Sequence, residues 1–414
     1  MKAFTAHDRA VLRHLARSVN EIAALPSEAV KRELWKQHTT LAGTLPPIFV
    51  SPEGSWREIL PETALECEAD IPRKYERELK QRLFRYNSIK DDTPVERQID
   101  IPVSDIPITA DWGLQPCIRP AVGQGGSWHH VSVIEQPSDW KRLKRPHLRI
   151  YRDSAAAVAE ELGDAIGDLI DVRLTGLKVF DFHITHVYCD FRGLENFLYD
   201  LSDEPEMVED VFSFFEEGMA GLLDEAEQYG LVQANNDYTY HYTGGLGYCA
   251  ALKSTASRLS EVWGAAEAQE YAVVSPEMFA RTILPHEKRL LERFALSGYG
   301  CCDDLTHKLD SVLEIKNLRR VAACPWADLK IMAGRLKKNY ILTWKPNPAY
   351  LAMDVFDEAG LKNYLVRSLT AAQAGYPEII LRDTHTCRNH PERFGAFVRI
   401  CREAIAEVSN LSKI

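Results

Sequence analysis

R-V-A-A (320–323), W-A-D-L-K-I-M-A-G-R-L (326–336), Y-I-L-T-W (340–344), D-E-A-G-L-K-N-Y-L-V-R-S-L-T-A-A-Q-A (357–374) and E-I-I-L (378–381) follow one another in the chain. The short apolar runs predict strands buried on both faces, and the longer segments carry apolar residues at helical spacing. Strands separated by such helices build a parallel sheet, because the chain must cross back before the next strand can run the same way. Working outward, the same pattern predicts strands at 106–110, 177–182, 231–235, 260–264 and 296–299. Further helices are expected at 153–170, 205–229, 276–293 and 391–407. Ser275-Pro276, Asp357 and the stretch from Asp383 to Thr386 supply helix-start signals. Eight strands with intervening helices predict an α/β fold, a (β/α)8 TIM barrel over residues 101–414. Residues 1–100 read as an N-terminal helical extension. Two helices lie within 7–43, followed by a wrap rich in proline and charge with one helix near 74–86.

Composition narrows the classes of partner. The 414 residues carry 49 basic and 60 acidic side chains, a net charge of −11, with no basic tail. That balance argues against nucleic acid and against an anionic membrane surface. No apolar run is long enough to span a bilayer, and Asp8, Arg9, Arg13 and Arg17 interrupt the N-terminal stretch where a signal peptide is apolar, so a cytoplasmic protein is expected. Nine cysteines are then mostly buried thiols, with a minority free to act as ligands or nucleophiles.

In a barrel, residues just beyond the strands' C-terminal ends form the active-site rim. Read that way, Asp111, His183, Asp237 and Lys345 are catalytic candidates, and Trp112, His186, Asn235, Asn236, Tyr299 and Trp344 are candidates for binding a small-molecule substrate. The sharpest cluster is Y-G-C-C-D-D (299–304) with R-D-T-H-T-C (382–387). Thiolate and imidazole are preferred Zn2+ ligands, so Cys301 or Cys302 with His385 and Cys387 would make a three-ligand set with an open fourth position. Tandem cysteines on a regular strand point to opposite faces, so only one of them is expected to reach such an ion. The competing reading makes them packing thiols, with His385 capping the last helix. G-Q-G-G-S-W (123–128) lacks phosphate-loop spacing and reads as a loop over the barrel mouth. Gly244, Gly245 and Gly247, among Tyr238, Tyr240, Tyr242 and Tyr248, would let backbone approach a flat ligand closely.

These residues resemble the uroporphyrinogen decarboxylase superfamily, which joins the decarboxylase and cobalamin-dependent methyltransferases on one (β/α)8 barrel. R-G-L-E-N-F-L-Y-D-L-S-D-E-P-E-M-V (192–208) is similar to the family's "RG-EN-L-D---P-E-V" segment. V-V-S-P-E-M-F-A-R-T-I-L-P (273–285) resembles its "SPE-F-----P" helix start, and residues 299–304 fall where members carry H-x-C-G. The decarboxylase's arginine pair has no counterpart in A-D-W-G-L-Q-P-C-I-R-P (110–120), so the methyltransferase branch is the better likeness. That resemblance implies zinc held by His-x-Cys after a middle strand and by a Cys after the last one. Cys301 takes the first Cys, His385 or Cys387 the second, and Tyr299 falls on the family's His. It further implies a corrinoid supplied by a partner protein, a small methylated or methoxylated substrate, and a monomer or homodimer. The alternatives are a metal-independent decarboxylase of a non-porphyrin or tetrapyrrole substrate, with Asp111 stabilising a protonated intermediate, and a non-catalytic barrel that binds a corrinoid or tetrapyrrole.

Overall fold

A computed structural model describes residues 4–106, 111–119 and 129–411. At its centre lie seven parallel strands: β1 (Ile48–Val50), β2 (Asp181–Phe182), β3 (Trp263–Ala266), β4 (Leu296–Tyr299), β5 (Leu318–Ala323), β6 (Ile341–Trp344) and β7 (Pro377–Leu381). Their spatial order is β1-β7-β6-β5-β4-β3-β2, so each strand from β2 onward lies beside its successor. The expected closed eight-stranded barrel is not traced. Among the described residues the sheet keeps two edges, β1 and β2, and a single parallel bridge from Leu177 to Val232 continues the β2 edge. The expected strand at 106–110 falls almost wholly outside the described residues, as does the loop at 123–128.

Local chemistry explains most boundaries. Ser275 caps Pro276–Thr282 through Met278 N, Asp328 caps Leu329–Leu336 through Ile331 N, and Asp357 caps Glu358–Ala371 through Gly360 N. The single helix expected over 276–293 breaks into Pro276–Thr282 and Leu284–Leu291, with Pro285 in the first turn of the second, where its missing N–H costs nothing. β3 starts later than expected because Leu259–Glu261 forms a 3-10 turn. Pro205–Gln228 buries Val208, Val211, Phe212, Phe215, Met219 and Leu222 along one stripe, each such burial contributing roughly 1.5–3 kcal/mol.

The N-terminal segment contributes to the sheet itself. β1 lies within the stretch expected to be a wrap, and it pairs with β7 from Ile48 opposite Ile379 to Val50 opposite Leu381. Ahead of it, Ala6–Ala23 buries Leu12, Leu15 and Val19, and its Arg13 makes a two-pronged pair with Asp168.

The chain's own loop fills the interior of the sheet. Tyr240 bridges Leu246 in antiparallel fashion, and the turn passes through Gly244 (φ +146) and Gly245 (φ +74). A Cβ on Gly244 would lie 2.2 Å from Thr343 Cγ2, and one on Gly245 would lie 2.8 Å from Arg320 Nη2. The close backbone approach expected of these glycines is therefore real, but its partner is the sheet and not a ligand. No helix among the described residues is long and apolar enough to cross a membrane.

Candidate functional site

The strand C-terminal ends converge on Cys301. After Tyr299 the chain turns at Gly300 (φ +89), where a Cβ would lie 2.5 Å from Leu305 Cδ1, and Asp303 Oδ1 accepts the Cys301 N–H at 3.2 Å. The turn buries Cys301 and leaves Cys302 exposed, with the two sulfurs 3.3 Å apart. Lys345, just past β6, is only 3% exposed, and its Nζ has no hydrogen-bond partner among the described residues. Arg382, just past β7, lies over the rings of Tyr240 and Tyr242 at 5.8 and 5.0 Å, and donates to Tyr240 Oη at 3.3 Å. A hydrogen bond from Cys302, reinforced by the charges of Lys345 and Arg382, holds the Cys301 thiol well below its ordinary pKa, while the Cys302 thiol is pushed up.

Beyond β2 and β3 a histidine–carboxylate set completes the mouth. His183 Nδ1 lies 2.7 Å from Glu267 Oε1, and its ring meets Tyr242 edge-on at 4.2 Å. Burial opposes charge on His183, but Glu267 outweighs it and raises the imidazole pKa. The Glu270 carboxylate pushes His186 up to about 9. Asp181 faces the Tyr242 backbone N–H with one oxygen, leaves Oδ1 without a partner among the described residues, and is pushed up to about 6 by burial. At the rim, Glu53 (φ +43) and Asp383 (φ +59) adopt left-handed backbone and are held together by Asp383 N donating to Glu53 Oε2 at 2.9 Å.

Two cavities reach this centre. One, of about 340 Å³, has Cys302 and Asp383 in its wall, with Pro325, Trp326, Pro348 and His385 around them. The other, of about 410 Å³, lies on the β2 side and runs from Asp100 and Asp105 past Lys178 to Asp181.

Of the expected site residues, the structure brings together His183, Cys301, Cys302 and Lys345, with His186 alongside. The others have different employment. Tyr299 and Trp344 end their strands facing the helix layer, Tyr299 donating to Glu287 and Trp344 packing on Tyr364; Lys345, next after Trp344, points the other way, and the Gly300 turn brings in Cys301 after Tyr299. Trp112 is fully buried against Phe215 and Gly218. Asp111 is a surface partner of Arg149 at 3.5 Å. Asn235 spends its amide on Lys178 O and on both backbone groups of Trp263, and Asn236 bonds Leu252 O. Asp237 accepts from Thr239 and pairs with Lys178. Asp181 and Glu267 are not among the expected residues, Tyr240 and Tyr242 are expected only as neighbours of the loop glycines, and Arg382 only as the first residue of the 382–387 stretch. Arg382 and Glu267 sit directly after strands, a position that could have flagged them.

The four residues expected to hold zinc do not form a ligand set. Cys387 is buried on Glu58, its Sγ 3.1 Å from Oε2, and is pushed up to about 11 by burial and that carboxylate. His385 is exposed on the far wall of the cavity. Among the described residues no three His, Cys, Asp or Glu side chains are grouped to hold a metal. Without such a set the residues present do not fit zinc, which takes three or four ligands from the protein.

No family model matches the chain, and no curated protein matches it in sequence. Among solved structures it is similar to a methyltransferase from Methanosarcina mazei, with a TM-score of 0.52 and 10% identity over 90% of this chain and 97% of that one. At that identity the likeness is one of fold.

Proposed function

We propose that the protein is a methyltransferase that moves a methyl group between a small methylated compound, such as a methoxylated one, and a corrinoid carried by a partner protein. One observation carries the reading: Lys345 and Arg382 bring two cations to a buried thiol at the strand C-terminal ends. Loss of a methyl group leaves negative charge on the oxygen or sulfur that carried it. Fixed cations in a dry site stabilise that charge without reorganising, the task a Lewis acid would otherwise perform.

Each residue then has a role. Lys345 and Arg382 hold the heteroatom and take up its developing charge. Tyr240 and Tyr242 wall the site against water. His183, held by Glu267, stands ready to pass a proton to the departing heteroatom or to take one back. Trp326, 72% exposed, with Pro325 and Pro348 forms an apolar rim that would receive the corrinoid protein. A corrinoid bound there supplies the cobalt that accepts or donates the methyl group.

The test is methyl transfer from methylated phenols and thiols to reduced cobalamin by the purified full chain. Lys345→Met and Arg382→Leu are each expected to lose on the order of 100-fold in rate. Full activity in both variants, or no transfer by the wild type to free or protein-bound corrinoid, would overturn the reading. A second reading rests on Asp181. Near His183 and Arg382, a carboxyl pushed up to about 6 could protonate the carbon left when a bound carboxylate departs. Release of CO2 from a carboxylated compound without any methyl acceptor would favour it.

A further inference from the structure

Cys301 and Cys302 are adjacent in sequence, yet both thiols reach one point, which a regular strand would forbid. The Gly300 turn and the Asp303 bond to Cys301 N impose this. The sulfurs are 3.3 Å apart, in contact but not bonded. Their surroundings differ sharply. Cys301 is buried where the charges of Lys345 and Arg382 fall, while Cys302 forms part of the wall of the open 340 Å³ cavity. Small solutes therefore reach the pair from one side, while cations favour a thiolate on the other. Of the seven other cysteines, only Cys117 is exposed.

We propose that Cys301 and Cys302 form a two-electron redox couple that a hydroperoxide closes to a vicinal disulfide, making the pair a site of reversible covalent modification. The thiolate of the pair attacks the peroxide, forming an S–O bond as the O–O bond breaks and hydroxide leaves, or an alkoxide where the hydroperoxide is organic. The neighbouring sulfur then displaces the sulfenic oxygen, the S–S bond forms, and the second thiol's proton departs with that oxygen as water. The two thiols lose two electrons and the peroxide gains them. The inference rests on the juxtaposed sulfurs and holds whatever reaction the mouth performs.

The experiment treats the full chain with hydrogen peroxide, blocks free thiols with N-ethylmaleimide and weighs the tryptic peptide 294–308, which contains both cysteines. The expected result is a peptide lighter by two hydrogens and closed to the maleimide, returned to two maleimide-reactive thiols by dithiothreitol. In Cys301→Ser and in Cys302→Ser the remaining thiol should instead be captured by dimedone. A wild-type peptide that keeps both reactive thiols while Cys117 oxidises would overturn the proposal, as would sulfinic acid on either cysteine with no disulfide stage. The wild-type measurement stands even if a variant fails to fold.

Discussion

Two buried charged clusters occupy the same interior, one below the other. In the lower, Arg320 and Glu378 are both fully buried, with Nε 3.3 Å from Oε1; Thr343 donates to Glu378, His38 lies 3.4 Å from it, and Arg320 stacks over Trp263 and donates to Leu246 O. In the upper, Lys345 is nearly as deeply placed and faces the Cys301 thiol; both clusters leave polar atoms without a hydrogen-bond partner among the described residues, Arg320 Nε and Glu378 Oε2 below, Lys345 Nζ and Asp181 Oδ1 above. The lower cluster answers charge with charge and closes around the Gly245 turn. The upper one meets a cavity through Cys302 and Asp383 on one side and another through Asp181, while the lower borders one through His38. Both clusters set charge against charge, but only the upper one holds its cations beside a thiol. Depth alone does not separate scaffold from site; a reactive group at the strand C-terminal ends does.

The largest effect expected from breaking this contrast is in the lower cluster. Glu378→Ala strands Arg320 in the interior and should cost about 3–5 kcal/mol in urea unfolding. A loss below about 1 kcal/mol would mean that Arg320 is already solvated, and the contrast would collapse. The upper cluster should respond less. Lys345→Met removes the cation facing Cys301, whose thiol can take up a proton in its place, so stability should change by no more than about 1 kcal/mol. Methyl transfer should still fall on the order of 100-fold, some 2.7 kcal/mol. A Lys345→Met protein that unfolds as readily as Glu378→Ala would make the lysine a structural residue.

Asp181 sharpens the comparison through pH. Burial raises its pKa from 3.8 to about 6, so between those values the folded state holds a proton that the unfolded chain releases. Stability from this group is therefore fully present below about pH 4 and is lost as pH rises through about 6. Asp181→Asn should abolish that decline and gain on the order of 2 kcal/mol over the wild type at neutral pH. Parallel curves of stability against pH for the two proteins would show that the carboxyl has found a partner.

The sequence carried the sheet better than the site. β4 to β7 fall at the short strands expected between helices, and Ser275 and Asp357 cap helices where expected, since these signals are local. β1 was missed because a three-residue run between Pro47 and Pro52 is too short to carry a period. Cys301, Lys345 and His183 were legible from their place after strands, whereas Tyr299 and Trp344 were misjudged by one position, enough to reverse a side chain in a strand. Tyr240 and Tyr242 enter through a hairpin folded into the interior, and Asp181 from the two-residue edge strand β2. Neither follows from spacing along the chain.

The smallest effect expected is a null one, and it bears on which of the two clusters holds the chemistry. A site that depended on zinc would lose stability when stripped of metal, because binding energy becomes folding energy. Here the cysteine of the last loop is spent on Glu58, and no three ligand side chains are grouped among the described residues. Chelation should therefore leave the unfolding midpoint unchanged, and elemental analysis should find far less than one zinc per chain. Cys387→Ser, which exchanges one donor to Glu58 for another, should shift stability by about 1 kcal/mol or less and leave methyl transfer intact. Near one zinc per chain, lost in Cys387→Ser, would instead mean that the last loop rearranges to bring Cys387 to Cys301. The upper cluster would then be a metal centre caught in its closed, cation-filled form.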